Sequence, residues 1–502
     1  MADEARSGAV SRGAPSLLQS GALSLFASAA PLLVALIALP ILTRQLGEER
    51  FGLLALAWAW LSYAGLLDFG LGRALTRVVA TADAGEMLEA PLGAYVSTSL
   101  VLLTAVGAVI GILGAVLAPW YVVSVLHVSD AMRTDAVISA VLFALTVPAI
   151  TGASVPRAVL EARQQFRAVN FVRLPVSIAS FAVPLLLLPL TVSLTAIAAT
   201  IAVVRVWALW RYRVLARAVL PPAAADQAAR AHLRPLLRAG VWMTVSNVLG
   251  PLLVVADRFV IGSVISVSAV ALYALPWEAV TKLFIVPGAL TMVLFPAIAR
   301  ASTAEPEQLA PLHSASVRLL TLIVVPVCAL ACLLAPWLLQ LAGGRGYTGD
   351  SVAVLRILAV GVAANCVASV PFTLLQASGN AKWTATLHIV EIVPFALMLW
   401  FGTSRWGIIG AAAAWTTRAL ADAVLMAWRA QSVARLPVAT LLVNGVGVSL
   451  VAFCAWLGAV TPDTSRSPVI VAVVLSCVVP AILWSQRSTA ERLVLERVRG
   501  GA

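Results

Sequence analysis

The sequence predicts an all-α integral membrane protein of about 14 transmembrane helices, with two parallel six-helix repeats forming two lobes and two further C-terminal helices. Three observations predict it. Of 502 residues, 61% are hydrophobic and only 11% charged, against about 25% charged in a soluble domain. The mean hydropathy is +0.98, and so few polar residues could not cover a soluble core of this size. Long apolar runs also recur from end to end, and no polar stretch exceeds about 25 residues, too short for a separate soluble domain.

The runs, bounded by charges, glycine or proline, give spans at about 17–43, 51–74, 92–117, 135–156, 169–190, 192–213, 236–263, 268–297, 315–341, 351–376, 383–402, 407–430, 437–460 and 468–486. The first run is longer than the 7–15 residues of a signal-peptide core, so it reads as a span. Internal prolines such as Pro31, Pro40, Pro287 and Pro394 predict kinks, because a membrane helix tolerates proline where neighbours satisfy the freed carbonyl. The five cysteines (Cys328, Cys332, Cys366, Cys454, Cys477) all lie in apolar runs and read as small apolar residues. The four histidines are scattered and form no metal motif.

Charge sets the orientation. With the N-terminus inside, the inner segments hold 22 of the 34 Lys and Arg residues and the outer segments seven. This bias predicts that both termini are cytoplasmic, which requires an even number of spans. The net charge of +12 then reports topology and contact with anionic membrane lipid rather than nucleic acid.

The chain also repeats itself. Ala118-Pro119-Trp120 recurs as Ala335-Pro336-Trp337, Ala153–Pro156 as Ala368–Pro371, Phe51–Leu56 resembles Val270–Leu275, and Arg213 aligns with Arg429. Four matches in order, at offsets of 215–219 residues, indicate duplication of a six-span unit. The even span count makes the repeats parallel. The expected organisation is an N-lobe over 1–219, a cytoplasmic linker over 220–234, a C-lobe over 235–430, and 431–502 as two more spans and a cytoplasmic tail.

Ionisable groups at membrane depth cost ~2.5–3.5 kcal/mol each and mark function by default. Asp257 and Arg258 fall in span 7 and Glu278 and Lys282 in span 8, the latter an i,i+4 pair. Asp68 and Arg73 fall at the inner end of span 2, Glu391 with His388 in span 11, and Arg418 with Asp422 in span 12. Either these groups line a wet cavity whose cations attract an anionic cargo, or they are packed ion pairs; Arg205 and Arg418/Asp422 lean to the second reading. Trp58, Trp60, Tyr63, Tyr273 and Trp277 could stack on sugars, though belt or packing roles explain them better. No P-loop, GxSxG or HExxH motif occurs. The expectation is a transporter, not an enzyme, with no cofactor unless sodium ions or protons drive it.

The stretch LTRQLGEERFGLLALAWAWLSYAGLLDFGLGRALTR (Leu42–Arg77) resembles the start of a bacterial polysaccharide or O-antigen flippase, with its LGxxxFG turn and LLDxGLxRALTR break. Val270–Leu275 (VALYAL), Leu374–Val393 (LLQASGNAKWTATLHIVEIV) and Trp406–Trp415 (WGIIGAAAAW) are similar to later spans of that family, within the superfamily of multidrug, oligosaccharidyl-lipid and polysaccharide exporters. The resemblance covers spans 1–12. It implies a V-shaped pair of lobes, a cavity lined by spans 1, 2, 7 and 8, and alternating-access transport of an undecaprenyl-diphosphate-linked oligosaccharide for cell-surface polysaccharide such as the O-antigen of lipopolysaccharide. It assigns Arg258, Lys282 and Arg73 to the diphosphate, and Asp68, Asp257, Glu278 and Glu391 to charge pairing or ion coupling. Span 1 departs from a cationic cavity, having no charge before Arg44. Glycosyltransferases and a polymerase of the same pathway are the implied partners. The rival readings are a peptidoglycan-precursor flippase, a multidrug or cation antiporter, and a non-transporting membrane scaffold.

Overall fold

A computed structural model describes residues 17–67, 71–83, 91–220, 249–250, 252–344, 346–347, 349–434, 448–449, 451–456 and 459. Among these residues the chain is helical throughout, without strands. Among the described residues, nine helices are long and apolar enough to cross a membrane. The linker beyond residue 220, the first half of predicted span 7, much of span 13 and all of span 14 lie outside the described residues.

The first element, α1 (Leu17–Ala64), is one continuous assignment broken at Gly47, which adopts φ 74° and ψ 167°. A glycine is needed there because a Cβ disfavours that backbone region. The apolar part, 30–64, has 35 residues and would measure ~52 Å if straight, far more than a ~30 Å hydrocarbon core, so the break divides it into spans 1 and 2. Span 2 ends at Ala64 rather than near residue 74. A turn at 65–67 follows, and α2 (Leu71–Asp83) begins afresh, since Gly65, Gly70 and Gly72 are poor continuers of a helix.

Next come α3 (Leu92–Trp120), extended by a π-helical turn (Tyr121–Val125), then α4 (Asp130–Leu145) and α5 (Val147–Ala162). Together α4 and α5 make the fourth span, jointed at Thr146, where Pro148 enters the first turn of α5. α6 (Phe166–Leu187) and α7 (Leu194–Val219) complete the N-lobe. Asp135 of α4 secures the start of α7 by accepting from the Ser193 hydroxyl (2.7 Å) and the backbone N–H groups of Leu194 and Thr195 (2.8 and 2.9 Å), an acceptor for donors that a helix start leaves unpaired.

In the C-lobe, α8 (252–264) is followed by α9 (Val267–Thr281), a 3₁₀ turn at Lys282–Phe284 and α10 (Ile285–Ala304). The predicted eighth span is therefore interrupted at Lys282. The ninth is α11 (Leu309–Leu333), with α12 (Ala335–Gly343) a separate short helix. α13 (Asp350–Ala377) precedes α14 (Ala381–Ala434), which breaks at Trp406 and Gly407 into spans 11 and 12. A Cβ on Gly410 would lie 1.9 Å from the Gly402 carbonyl oxygen, so the two arms of α14 meet backbone to backbone.

The apolar core has three parts. One, from Leu71 to Ala216, belongs wholly to the N-lobe, and another, from Leu294 to Ala434, wholly to the C-lobe. The third unites Leu42, Phe51 and Ile197 with Ile261, Tyr273 and Trp415. The lobes are thus fused at the arginine-poor end and hold separate cores at the arginine-rich end. At the fused end a Cβ on Gly52 would lie 2.1 Å from the Val267 carbonyl oxygen. Thr43 donates to the Ala342 carbonyl (3.1 Å) and Arg44 to that of Leu341 (2.6 Å), capping carbonyls that the end of α12 leaves unpaired.

Candidate functional site: a polar cavity between the lobes

Where the cores separate, a cavity of about 690 Å³ lies between the lobes. Tyr63, Ser154, Arg157 and Glu161 line its N-lobe wall, and Asn365, Ser369, His388, Arg418 and Asp422 its C-lobe wall. The duplicated tetrapeptide supplies residues to both walls, Ser154 from the first copy and Ala368 and Ser369 from the second. Arg157 follows the first copy where Phe372 follows the second, so the repeat is symmetric in backbone but not in charge.

Charge is arranged at two depths. Near the mouth, Arg157 and Glu161 stand 3.5 Å apart with both side chains about two-fifths exposed. Deeper, Arg418 Nη1 lies 3.4 Å from Glu391 Oε2, and both side chains are nearly buried. The Glu391 and Asp422 carboxyls lie against each other, so Arg418 faces two acidic groups. Its guanidinium also sits 5.6 Å from the Phe395 ring centre, a favourable cation–π contact. Asp422 Oδ1, Glu391 Oε1, Arg418 Nε and His388 Nδ1 are buried without a hydrogen-bond partner. Of these, Asp422, Arg418 and His388 line the cavity, and unspent polar atoms on a cavity wall are places where a ligand or water can bind.

A second network adjoins the first within the fused core. Asp257 is fully buried. It accepts from the Tyr273 hydroxyl at 2.5 Å and from the Arg258 backbone N–H at 2.8 Å. Glu278 serves two cations, Arg258 at 3.7 Å and Lys282 one helical turn away. Arg258 lies 5.1 Å from the Trp277 ring centre. Lys282, whose side chain is 31% exposed, lies 5.0 Å from the ring of Phe181 in the opposite lobe. With Asp257 and Glu278 set against Arg258 and Lys282 the group is formally balanced, and each cation also has an aromatic face, which makes its burial tolerable in a low dielectric.

The sequence-predicted residues are therefore divided. Asp257, Arg258, Glu278 and Lys282 come together, but none is among the residues lining the cavity. Glu391 joins Arg418, and the ion pair is Arg418–Glu391 rather than Arg418–Asp422. Arg73 falls in the first turn of α2 beside the cavity-lining Gly72 and Thr76, and its side chain lies outside the described residues, as does Asp68. The sequence reading passed over Arg157, Glu161, Asn365 and Ser369. For Arg157 a signal existed, since it directly follows a tetrapeptide repeated in the other half. Of the aromatic residues, Tyr63 lines the cavity, whereas Trp58 donates to the Ser180 carbonyl and packs on Phe181. Among the described residues, no group of three or more His, Cys, Asp or Glu side chains could hold a metal ion.

A two-lobed helical bundle of this kind, with a polar cavity between its lobes, is the architecture of a membrane transporter, and solved structures share it. The chain is similar to a lipid II flippase, MurJ, in an inward closed conformation (TM-score 0.69, 11% identity, 93% of this chain and 98% of that one). It is also similar to an inward-facing multidrug resistance MATE family transporter of the MOP superfamily (TM-score 0.67, 15% identity, 82% and 98%). In sequence it is 29% identical over 413 residues to a Shigella flexneri protein named for O-antigen transport, covering 82% of this chain and 97% of that protein. The family model for polysaccharide biosynthesis proteins matches residues 17–302, more than half of the chain, and the protein belongs to that family.

Proposed function

We propose that this protein moves a polyprenyl-diphosphate-linked oligosaccharide across the bacterial cytoplasmic membrane by alternating access. The observation that carries the reading is the cavity between the lobes, walled by Arg157 on one side and Arg418 on the other. Its likeness to the Shigella flexneri protein supports the cargo class. With both termini cytoplasmic, the arginine-rich end faces the cytoplasm, and the cavity opens towards the side where lipid-linked glycans are assembled.

A diphosphate entering from that side meets Arg157 first, because that guanidinium is the exposed one. Arg418 lies deeper. Its carboxylate partners keep it in place and lower its net pull, so the headgroup is attracted without being trapped. Arg73 is a further cation for the same headgroup. Lys282 and Arg258 receive the phosphates as the lobes rock and the inner end closes, Lys282 being the more exposed of the two. Tyr63, Asn365 and Ser369 offer hydrogen bonds to sugar hydroxyls, and the prenyl tail stays in lipid. Asp257 and Glu278 hold the cations, while Glu391 and Asp422 exchange the proton or sodium ion that drives the cycle. The chain performs no chemistry of its own. It works beside the glycosyltransferases that build the cargo and the polymerase that consumes it.

The test is translocation of a fluorescent polyprenyl-diphosphate sugar in vesicles containing only the purified protein. Protein-dependent movement, lost when Arg157 and Arg418 are both replaced by glutamine, is the expected result. No movement of this lipid, or movement unchanged in the double variant, removes the assignment. Three acidic side chains near the cavity, Glu161, Glu391 and Asp422, favour a second reading as a cation antiporter; uptake of a cationic dye in place of the lipid selects it.

A further inference from the structure

A second cavity, of about 530 Å³, lies at the fused end and shares no lining residue with the cavity between the lobes. Span 2, α3, the π-helical turn and α4 supply most of its wall, and Phe259 of α8 closes it from the other lobe. It exists because residues at its back are small. Gly114, Ala57, Ala140 and Ala144 leave room that larger side chains would fill, and a Cβ on Gly114 alone would meet Ala144 at 3.2 Å and Trp60 at 3.7 Å. Its polar atoms are few. The Ser139 hydroxyl is spent on the Ala136 carbonyl and the Tyr121 hydroxyl on that of Phe259, which leaves the Trp60 indole N–H.

The rim says what fills this cavity. Leu113, Leu117 and Trp120 line it and are 56%, 54% and 59% exposed. They continue without a step into the bare apolar face of α3, where Val109, Ile112 and Val116 are 58%, 57% and 70% exposed. On a membrane-crossing helix that face meets acyl chains. The cavity is thus a side pocket of the hydrocarbon phase, with too few polar partners to hold water. The π-helical turn at its edge, marked by the Leu126 N–H bonding back to Tyr121, is a feature that helices keep mostly at functional sites.

We infer that this pocket binds one acyl chain of a bilayer phospholipid from the leaflet at the arginine-poor end. The chain lies between α3 and span 2 and reaches Phe259, so it touches both lobes and its hold depends on their relative position. The inference does not rest on the proposed cargo.

The test uses the full-length protein in nanodiscs of a single phospholipid, with a photoreactive benzoylphenylalanine at Ala140 inside the pocket or, separately, at Val116 on the open face. Phospholipid adducts at both positions are expected, with the Ala140 adduct reduced at least about fivefold by Gly114→Leu, or by Ala57→Leu should the first variant fold poorly, and the Val116 adduct unchanged. Absence of an adduct at Ala140, or an adduct indifferent to both filling substitutions, overturns the proposal. So does an equimolar polyprenyl phosphate that displaces the phospholipid from Ala140, because the occupant is then the carrier lipid.

Discussion

The two ends of this molecule are built on opposite principles. At the arginine-poor end the lobes meet through small residues and backbone. Gly52 packs on the Val267 carbonyl, Gly262 on Leu126 and Leu56, and Thr43 and Arg44 cap the end of α12. At the arginine-rich end each lobe keeps a core to itself and the space between is lined with hydroxyls, amides and paired charges. Glycine contacts are dry, short and intolerant of intrusion. Charged walls are worth little unless water or a ligand occupies the gap. A machine that opens first at one end and then at the other needs closure that is specific but not too strong, and the fused end fits: much of it is van der Waals contact and a few capping bonds that can be remade.

This contrast can be broken at graded cost. The largest effect is expected from Arg418→Ala. It leaves Glu391 and Asp422 facing each other without a cation, and losing one partner of a buried pair costs about 3–5 kcal/mol. Thermal unfolding of the purified protein measures it, and Glu391→Gln in the same chain should recover part of the loss. Gly52→Ala comes next. Its new methyl would fall 2.1 Å from a backbone oxygen and 2.9 Å from Val267 Cγ1, so overpacking should cost ~1–3 kcal/mol and part the lobes at the fused end, read as a longer distance between spin labels placed there. Arg44→Ala removes an exposed capping interaction, worth about 1 kcal/mol or less, and should shift the same distance distribution only slightly. Arg157→Gln should be smallest in stability, because the Arg157–Glu161 pair is exposed and such pairs contribute little. Its effect should appear instead as weaker binding of polyprenyl diphosphate; unchanged binding would detach the mouth from cargo capture.

Much of the fold was legible because membrane solvent simplifies the code. Apolar runs must be helices, and among the described residues nine helices are long and apolar enough to cross a membrane. What was not legible had tertiary causes. Gly47 and Gly407 fall at breaks that the sequence places between spans, and what it could not give is their positive φ. The 3₁₀ break at Lys282–Phe284 has its marker in Pro287, which cannot donate to the Leu283 carbonyl, but the sequence does not say that the break falls at the lysine. An i,i+4 spacing suggested Arg418–Asp422, but the guanidinium also reaches across to Glu391, 27 residues away, and helix spacing cannot reveal a partner on a neighbouring span. The cavity was the hardest part to foresee, since a lone Ser154, Asn365 or Ser369 in an apolar run reads as packing until two lobes place it on a wall.

The account rests on the fused end having to open. Replacing Thr43 and Ala342 with cysteine puts reactive thiols on either side of that contact, where the Thr43 hydroxyl and the Ala342 carbonyl are 3.1 Å apart, and the four described native cysteines are buried. Joining the two with a short thiol-cleavable cross-linker should stop translocation of the labelled lipid in vesicles, and cleaving the linker should restore it. Undiminished translocation by protein shown to be fully cross-linked would contradict the account.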